Sequence, residues 1–315
     1  MLRKGLLLLC LLVFSLALVA CGSSDTPAQE SQSDNGSGTP NESTAVATDY
    51  LVNVAWLMEN LDQNLLIIDA RGDDPYENGH IPGSIPVRWQ QFSTMEGGPG
   101  DENWGTLLDA NSLSEHLSSI GVNNEQKIII YADPNGWGED GRILWMLRMA
   151  GVENSRILDG GWPAWVSENG EVSKAASVAI VSDIEVSDLN YDTFATTDWL
   201  YENLETAVII DTRNPKEYEG ATDFGEARGG HIPNAINIPF KEFLNNDGTI
   251  KSIPEIQTLM SNNNISTSDQ IVTYCTAGIR SAHMTMVLKM AGYENVKNYD
   301  ASIYEWAGNE SLPLE

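Results

Sequence analysis

Cys275-Thr276-Ala277-Gly278-Ile279-Arg280 is the stretch in which residue types and spacing combine into chemistry. It follows Gln270–Tyr274, a short run that reads as a strand. It leads into a helix on which Met284, Val287, Leu288 and Ala291 share one face. The cysteine is therefore expected at the C-terminal end of a strand, in a tight loop that opens a helix. Open α/β sheets bind ligands at that edge. The amides of Thr276, Ala277, Gly278 and Ile279, with the helix N-terminus behind them, form an anion cradle. Gly278 permits the backbone angles that such a ring requires, and Arg280 adds a fixed positive charge. These effects all favour thiolate over thiol, the condition for a nucleophilic cysteine. An inert core cysteine is expected inside an apolar strand or helix, without Gly and Arg beside it.

The start of the chain decides how many thiols compete with Cys275. Arg3 and Lys4 precede an apolar stretch from Gly5 to Ala20, which ends at Cys21. Residues 1–20 read as a secretory signal, and a small residue just before Cys21 resembles the lipobox of bacterial lipoproteins. That resemblance implies cleavage after Ala20 and a diacylglycerol on Cys21. A transmembrane anchor is the alternative, but the stretch is short for a hydrocarbon core of about 30 Å. Residues 21–48 are rich in Ser, Gly, Asp, Asn, Thr, Gln and Pro and read as a flexible tether. Of three cysteines, Cys10 leaves with the signal and Cys21 carries lipid, so Cys275 has no disulfide partner. The expected location is extracytoplasmic, anchored to a bacterial membrane by lipid alone.

The elements that must position Cys275 occur twice. Leu65-Leu66-Ile67-Ile68-Asp69-Ala70-Arg71 matches Ala207-Val208-Ile209-Ile210-Asp211-Thr212-Arg213, and Gly79-His80-Ile81-Pro82 matches Gly230-His231-Ile232-Pro233. Ile128–Tyr131 matches Ile271–Tyr274, Met149-Ala150-Gly151 matches Met290-Ala291-Gly292, and Trp165 matches Trp306. Five blocks in one order at a near-constant offset are an internal repeat. Within a copy, Leu65–Ile68, Lys127–Tyr131 and Ser155–Leu158 read as buried parallel strands. Leu113–Ile120 and Arg142–Met149 read as helices, the latter stopped by Gly151. The fold class is α/β: two tandem domains, each a parallel sheet with helices on both faces. Boundaries fall at 49–172 for the first domain, 173–190 for a linker and 191–315 for the second.

Taken together, Ile209-Ile210-Asp211-Thr212-Arg213, Gly230-His231-Ile232-Pro233-Asn234-Ala235 and Tyr274–Ser281 resemble the rhodanese family. The doubling is similar to its tandem-domain thiosulfate and 3-mercaptopyruvate sulfurtransferases. The likeness spans about residues 50–312. It implies a ping-pong reaction in which Cys275 takes sulfur from a donor such as thiosulfate, holds it as a persulfide and passes it to cyanide or a thiol. No cofactor is expected, since no metal, nucleotide or flavin motif appears. The likeness also implies that Arg213, emerging at the sheet edge, helps bind the anionic donor; a surface or interdomain salt bridge is the other reading of that arginine. Arg228 lies in the second copy's insertion, within reach of the same pocket. His80 and His231 occur in both copies although only one has a cysteine, so they read as structural turn residues. In the first copy Ala132 or Asp133 stands where the cysteine would be, so that copy is expected to be silent and to wall one side of the cleft.

Two rivals stay open. A cysteine phosphatase or arsenate reductase would use Cys-x5-Arg, whereas four residues separate Cys275 from Arg280. A non-catalytic sulfur carrier would load Cys275 once without turnover. By the rhodanese resemblance, the small, uncharged Thr276 and Ala277 imply 3-mercaptopyruvate and the cationic Arg280 implies thiosulfate, so the loop is mixed; the exported location tips the balance to thiosulfate. Net charge is −28, which repels nucleic acid and anionic lipid headgroups and leaves any anion site to local groups. The four histidines, His80, His116, His231 and His283, have no metal-ligand spacing, and no nucleotide or flavin motif appears.

Overall fold

A computed structural model describes residues 48–315. The signal, almost all of the tether and Cys21 lie outside the described residues. Strands β1 (Leu51–Val52), β2 (Leu65–Asp69), β3 (Ile85–Pro86), β4 (Lys127–Tyr131) and β5 (Ser155–Leu158) form the first sheet, in the order β1-β5-β4-β2-β3. Strands β6 (Phe194–Ala195), β7 (Val208–Asp211), β8 (Ile236–Asn237), β9 (Ile271–Tyr274) and β10 (Val296–Tyr299) repeat that order in the second, β6-β10-β9-β7-β8. Every pairing is parallel. The helices of the first copy are α1 (Val54–Asn60), α2 (Asp73–Asn78), α3 (Ala110–Ser119), α4 (Glu139–Met149) and α5 (Gly161–Ser167). Those of the second are α6 (Thr197–Glu202), α7 (Pro215–Tyr218), α8 (Ile253–Asn262), α9 (Ile279–Met290) and α10 (Ser302–Gly308).

Alternation along the strands explains why both faces are covered. Leu66, Ile68, Ile128 and Ile130 point into one core with Leu113 and Leu117 of α3 and Ile143 and Leu147 of α4. Ile67 and Ile129 point the other way, onto Val54 and Leu57 of α1 and Trp165 of α5. The second sheet divides likewise: Ile210 and Ile271 face Ile256 of α8 and Val287 of α9, whereas Ile209 and Val272 face Leu200 of α6 and Trp306 of α10. A strand buried on both sides cannot alternate with polar residues, hence the continuous apolar runs.

Helix α9 starts at Ile279, earlier than its apolar face suggests, because Gly278 adopts the left-handed conformation (φ 78°) and serves as its N-cap. Arg280 therefore belongs to the first turn of α9. Segment 173–190 has no helix or strand of its own, yet much of it is tied to the first copy. Ser173 exchanges two backbone hydrogen bonds of 2.9 Å with His80, and the buried Val186 takes a 2.8 Å bond from its N–H to Ser114 Oγ.

The two copies meet through α4 and α9. Gly141 of α4 lies against His283, and a Cβ there would collide with the His283 backbone. Arg142 of α4 reaches into the second copy, where it is ion-paired with the fully buried Asp300. Its guanidinium also donates to Gly105 O at 3.2 Å and to Gly278 O at 3.4 Å. The first copy thus holds a carbonyl of the cysteine loop. Gly141→Ala should cost roughly 1–3 kcal/mol, the usual penalty for overpacking, measured by denaturant unfolding; a change below about 0.5 kcal/mol would mean that this interface yields freely.

Candidate active site

Cys275 is the first residue beyond β9, and the loop that follows is held on every side. Its backbone N–H donates to Ser302 Oγ at 3.2 Å, and its carbonyl accepts from Ile303 N at 3.1 Å. Tyr304 N donates to Thr276 O at 3.2 Å. Ser302 is itself in the left-handed region (φ 57°), a strained conformation for a residue with a Cβ. Its hydroxyl stays in place by donating to Tyr299 O at 2.8 Å. Gly278 has no room for a Cβ, which would meet the Asp300 carbonyl.

The thiol is 1% exposed but lines the floor of a cavity of about 570 Å³. Burial pushes its pKa up. The charge of Arg280, hydrogen bonds from the Ser281 backbone and hydroxyl (Oγ to Sγ 3.6 Å) and the Ala277 N–H outweigh burial, so the thiol ends below its ordinary value. Thr276, Ala277, Ile279 and Arg280 border the same cavity.

Arg280 supplies its charge from a clamp that sequence reasoning missed. Its two terminal nitrogens donate to Glu217 at 2.8 and 2.7 Å, and one also reaches Thr276 Oγ1 at 2.6 Å. Thr276 in turn donates to Glu217 at 3.0 Å. Burial raises the Glu217 carboxyl, but Arg280 more than reverses that and holds it below the usual carboxylate range. The Asn214–Glu217 spacing carries a capping-box signature, which hides the second role of the glutamate. Three of the five Arg280 donors are thus committed to Glu217 and Thr276.

Two arginines expected at the pocket are elsewhere. Arg213 is 1% exposed and folds back onto Asp211 (2.7 Å) and Gly230 O (2.8 Å). The cause is Asp211, a fully buried carboxylate that also accepts from Tyr274 (2.7 Å) and needs a cation beside it. The salt-bridge reading was right in kind, but the bridge is internal to one strand end. Arg228 donates to the carbonyls of Trp306, Ala307, Asn309 and Leu312 at 2.7–3.0 Å. It satisfies the C-terminal end of α10 and the segment beyond, because those carbonyls have no helical partner. Neither arginine lines the cavity.

Arg71, the repeat counterpart of Arg213, does line it. Arg71 makes the same internal bonds, to Asp69 and Gly79 O, and lies over the Trp162 ring at 4.2 Å. The repeat was the signal that could have found it. The first copy also brings Arg88, Trp89, Trp104, Trp137 and Glu139 to the cavity. Ala132 rather than Asp133 occupies the cysteine's place: its carbonyl accepts from Trp162 N, as that of Cys275 accepts from Ile303 N. His80 and His231 stack on Tyr76 and Tyr218 at 3.7 Å and bond those tyrosines' carbonyls, and neither borders the cavity.

The model of the Rhodanese-like domain matches residues 53–168 and again 196–309. The chain belongs to the rhodanese family. Its second rhodanese domain carries Cys275 and its first carries Ala132. A putative thiosulfate sulfurtransferase of Saccharopolyspora erythraea is 27% identical to this tandem rhodanese over 85% of its chain and 96% of the relative. Sulfur carrier protein TtuD of Thermus thermophilus is 29% identical over 84% and 96%, and putative thiosulfate sulfurtransferase 1 of Mycobacterium bovis 30% over 85% and 98%. Among solved structures, the anaerobic ergothioneine biosynthesis enzyme from Chlorobium limicola superposes with a TM-score of 0.76 at 20% identity, covering 85% of this chain and 70% of that one. That likeness concerns the fold. At the family level, the relatives' names support sulfur transfer.

The depressed thiol pKa of this rhodanese has a direct readout. Alkylation of Cys275 by iodoacetamide should set in at lower pH than for an ordinary thiol, since only the thiolate reacts. Ser281→Ala removes one of the groups favouring thiolate and should move that onset to higher pH. An unmoved profile would remove the serine from the account.

Proposed function

We propose that this protein is a thiosulfate sulfurtransferase working through a persulfide on Cys275. The observation that carries this is the thiol itself, held on the floor of a substrate-sized cavity and biased to thiolate by Arg280, Ser281 and the Ala277 amide. The thiolate attacks the outer sulfur of thiosulfate. A sulfur–sulfur bond forms to Cys275, the bond to the sulfonate sulfur breaks, and sulfite leaves with the electron pair. The loop amides and the start of α9 face the negative charge of thiolate, persulfide and departing sulfite in turn, and they need no reorganisation between steps. A thiolate or cyanide then attacks the terminal sulfur and regenerates the Cys275 thiolate.

Mass spectrometry after incubation with thiosulfate tests this. Cys275 should gain one sulfur, about 32 Da, and cyanide should remove it. Continuous release of sulfite with cyanide present distinguishes an enzyme from a carrier, which loads once and stops; the sulfur-carrier relative makes that second reading concrete. We further propose export with lipid on Cys21, to be checked by whether Cys21→Ser releases the protein from membranes.

A further inference from the structure

The cavity above Cys275 is much larger than its inorganic donor needs. A volume of about 570 Å³ falls in the range of about 300–1,000 Å³ that encloses organic ligands. Five aromatic rings wall it: Trp89, Trp104 and Trp137 from the first copy, Phe224 and Tyr304 from the other. They form a built surface, with Trp104 edge-on to Tyr304 at 5.3 Å and Trp137 edge-on to Phe224 at 5.2 Å. One cation already sits on it, the Arg280 guanidinium 5.0 Å from the Trp137 ring centre.

Charge selects among organic ligands. Each guanidinium bordering the cavity is ion-paired: Arg71 with Asp69, Arg88 with Asp73, Arg280 with Glu217. Asp74 and Glu139 also border it, and neither has a cationic partner among the described residues. With each guanidinium neutralised by its partner, the charge left unpaired at the cavity border is that of two carboxylates, Asp74 and Glu139, beside aromatic faces that attract cations. We infer that the sulfur acceptor is a low-molecular-weight organic thiol carrying a positively charged nitrogen, held with its cation against the aromatic wall and Glu139 while its sulfur faces Cys275. The inference rests on the persulfide reading. Its chemistry is balanced without a further reagent: the acceptor thiolate bonds the terminal sulfur, the sulfur–sulfur bond to Cys275 breaks, and the products are the acceptor's persulfide and the Cys275 thiolate. The small donor occupies the loop amides beside Cys275; the acceptor occupies the walls, which come largely from the copy that carries Ala132 in the cysteine's place.

The test is a single-turnover comparison on full-length protein loaded with inorganic polysulfide, so that the choice of donor has no part in it. Thiocholine, 2-mercaptoethanol and mercaptoacetate supply a cationic, a neutral and an anionic thiol, compared at equal thiolate concentration. The readout is loss of about 32 Da from Cys275 with time. Thiocholine should discharge the persulfide about tenfold faster than 2-mercaptoethanol, with mercaptoacetate slowest. Trp104→Ala and Glu139→Gln should each narrow the thiocholine to mercaptoethanol ratio, an internal ratio that general loss of folded protein leaves unmoved. Equal rates for the three thiols, a preference for mercaptoacetate, or an unchanged ratio in both variants overturns the inference while leaving the persulfide chemistry intact. Failure of Cys275 to take up sulfur at all sinks the persulfide reading itself.

Discussion

Replacing Cys275 with serine should abolish sulfur transfer, with turnover falling at least about a thousandfold, and should erase the mass gain of about 32 Da on incubation with thiosulfate. The reason is electronic as much as steric. A serine hydroxyl fits the same space, but the groups that favour a thiolate here, the Arg280 charge, the Ser281 hydroxyl and the Ala277 amide, cannot ionise an alcohol at neutral pH, and an alkoxide holds no labile sulfur. Folding should survive, since the backbone anchors at Ser302 and Ile303 do not involve the sulfur. A Cys275→Ser protein that is folded and still turns over would refute the assignment outright.

Glu217→Ala should be the most damaging substitution away from the cysteine. It strands the Arg280 guanidinium, 3% exposed, without its bidentate partner. Breaking one side of a buried pair typically costs about 3–5 kcal/mol. Denaturant unfolding should show a loss of that order, accompanied by a slower reaction because the loop anchored through Thr276 loosens. A double variant, Glu217→Ala with Arg280→Met, should recover much of the lost stability, since removing both charges avoids the unpaired one. It should not recover sulfur transfer. A single-variant loss below about 1 kcal/mol would show that the pair behaves as if solvated.

These two predictions come from different kinds of evidence. Cys275 was legible in the sequence because a strand, a cysteine, a glycine and an arginine at fixed spacing compel a particular local geometry. Glu217 was not, because nothing in Asn214-Pro215-Lys216-Glu217 separates an acid that caps a helix from one that also clamps an arginine 63 residues away. Arg213 shows the same limit from the other side. Its place at the end of β7 was readable, but the direction of its side chain depends on a carboxylate two residues earlier being wholly buried. Only packing decides that. Arg228 likewise went to whichever unsatisfied carbonyls lay nearest, and those belong to the far end of the chain.

By itself the sequence determined the repeat, the two parallel sheets, the absence of a cysteine from the strand-end loop of the first copy and the position of the one cysteine among the described residues. All follow from continuous apolar runs, from stops at glycine and from matched blocks, which are patterns legible along the chain. The tertiary structure alone decided which charges neutralise one another and which residues of the first copy border the cavity with the thiol. Trp104 and Glu139 lie far from Cys275 along the chain and border the same cavity only through the packing of the two copies, and no local pattern encodes which side chains two folded domains will present to each other across a cleft.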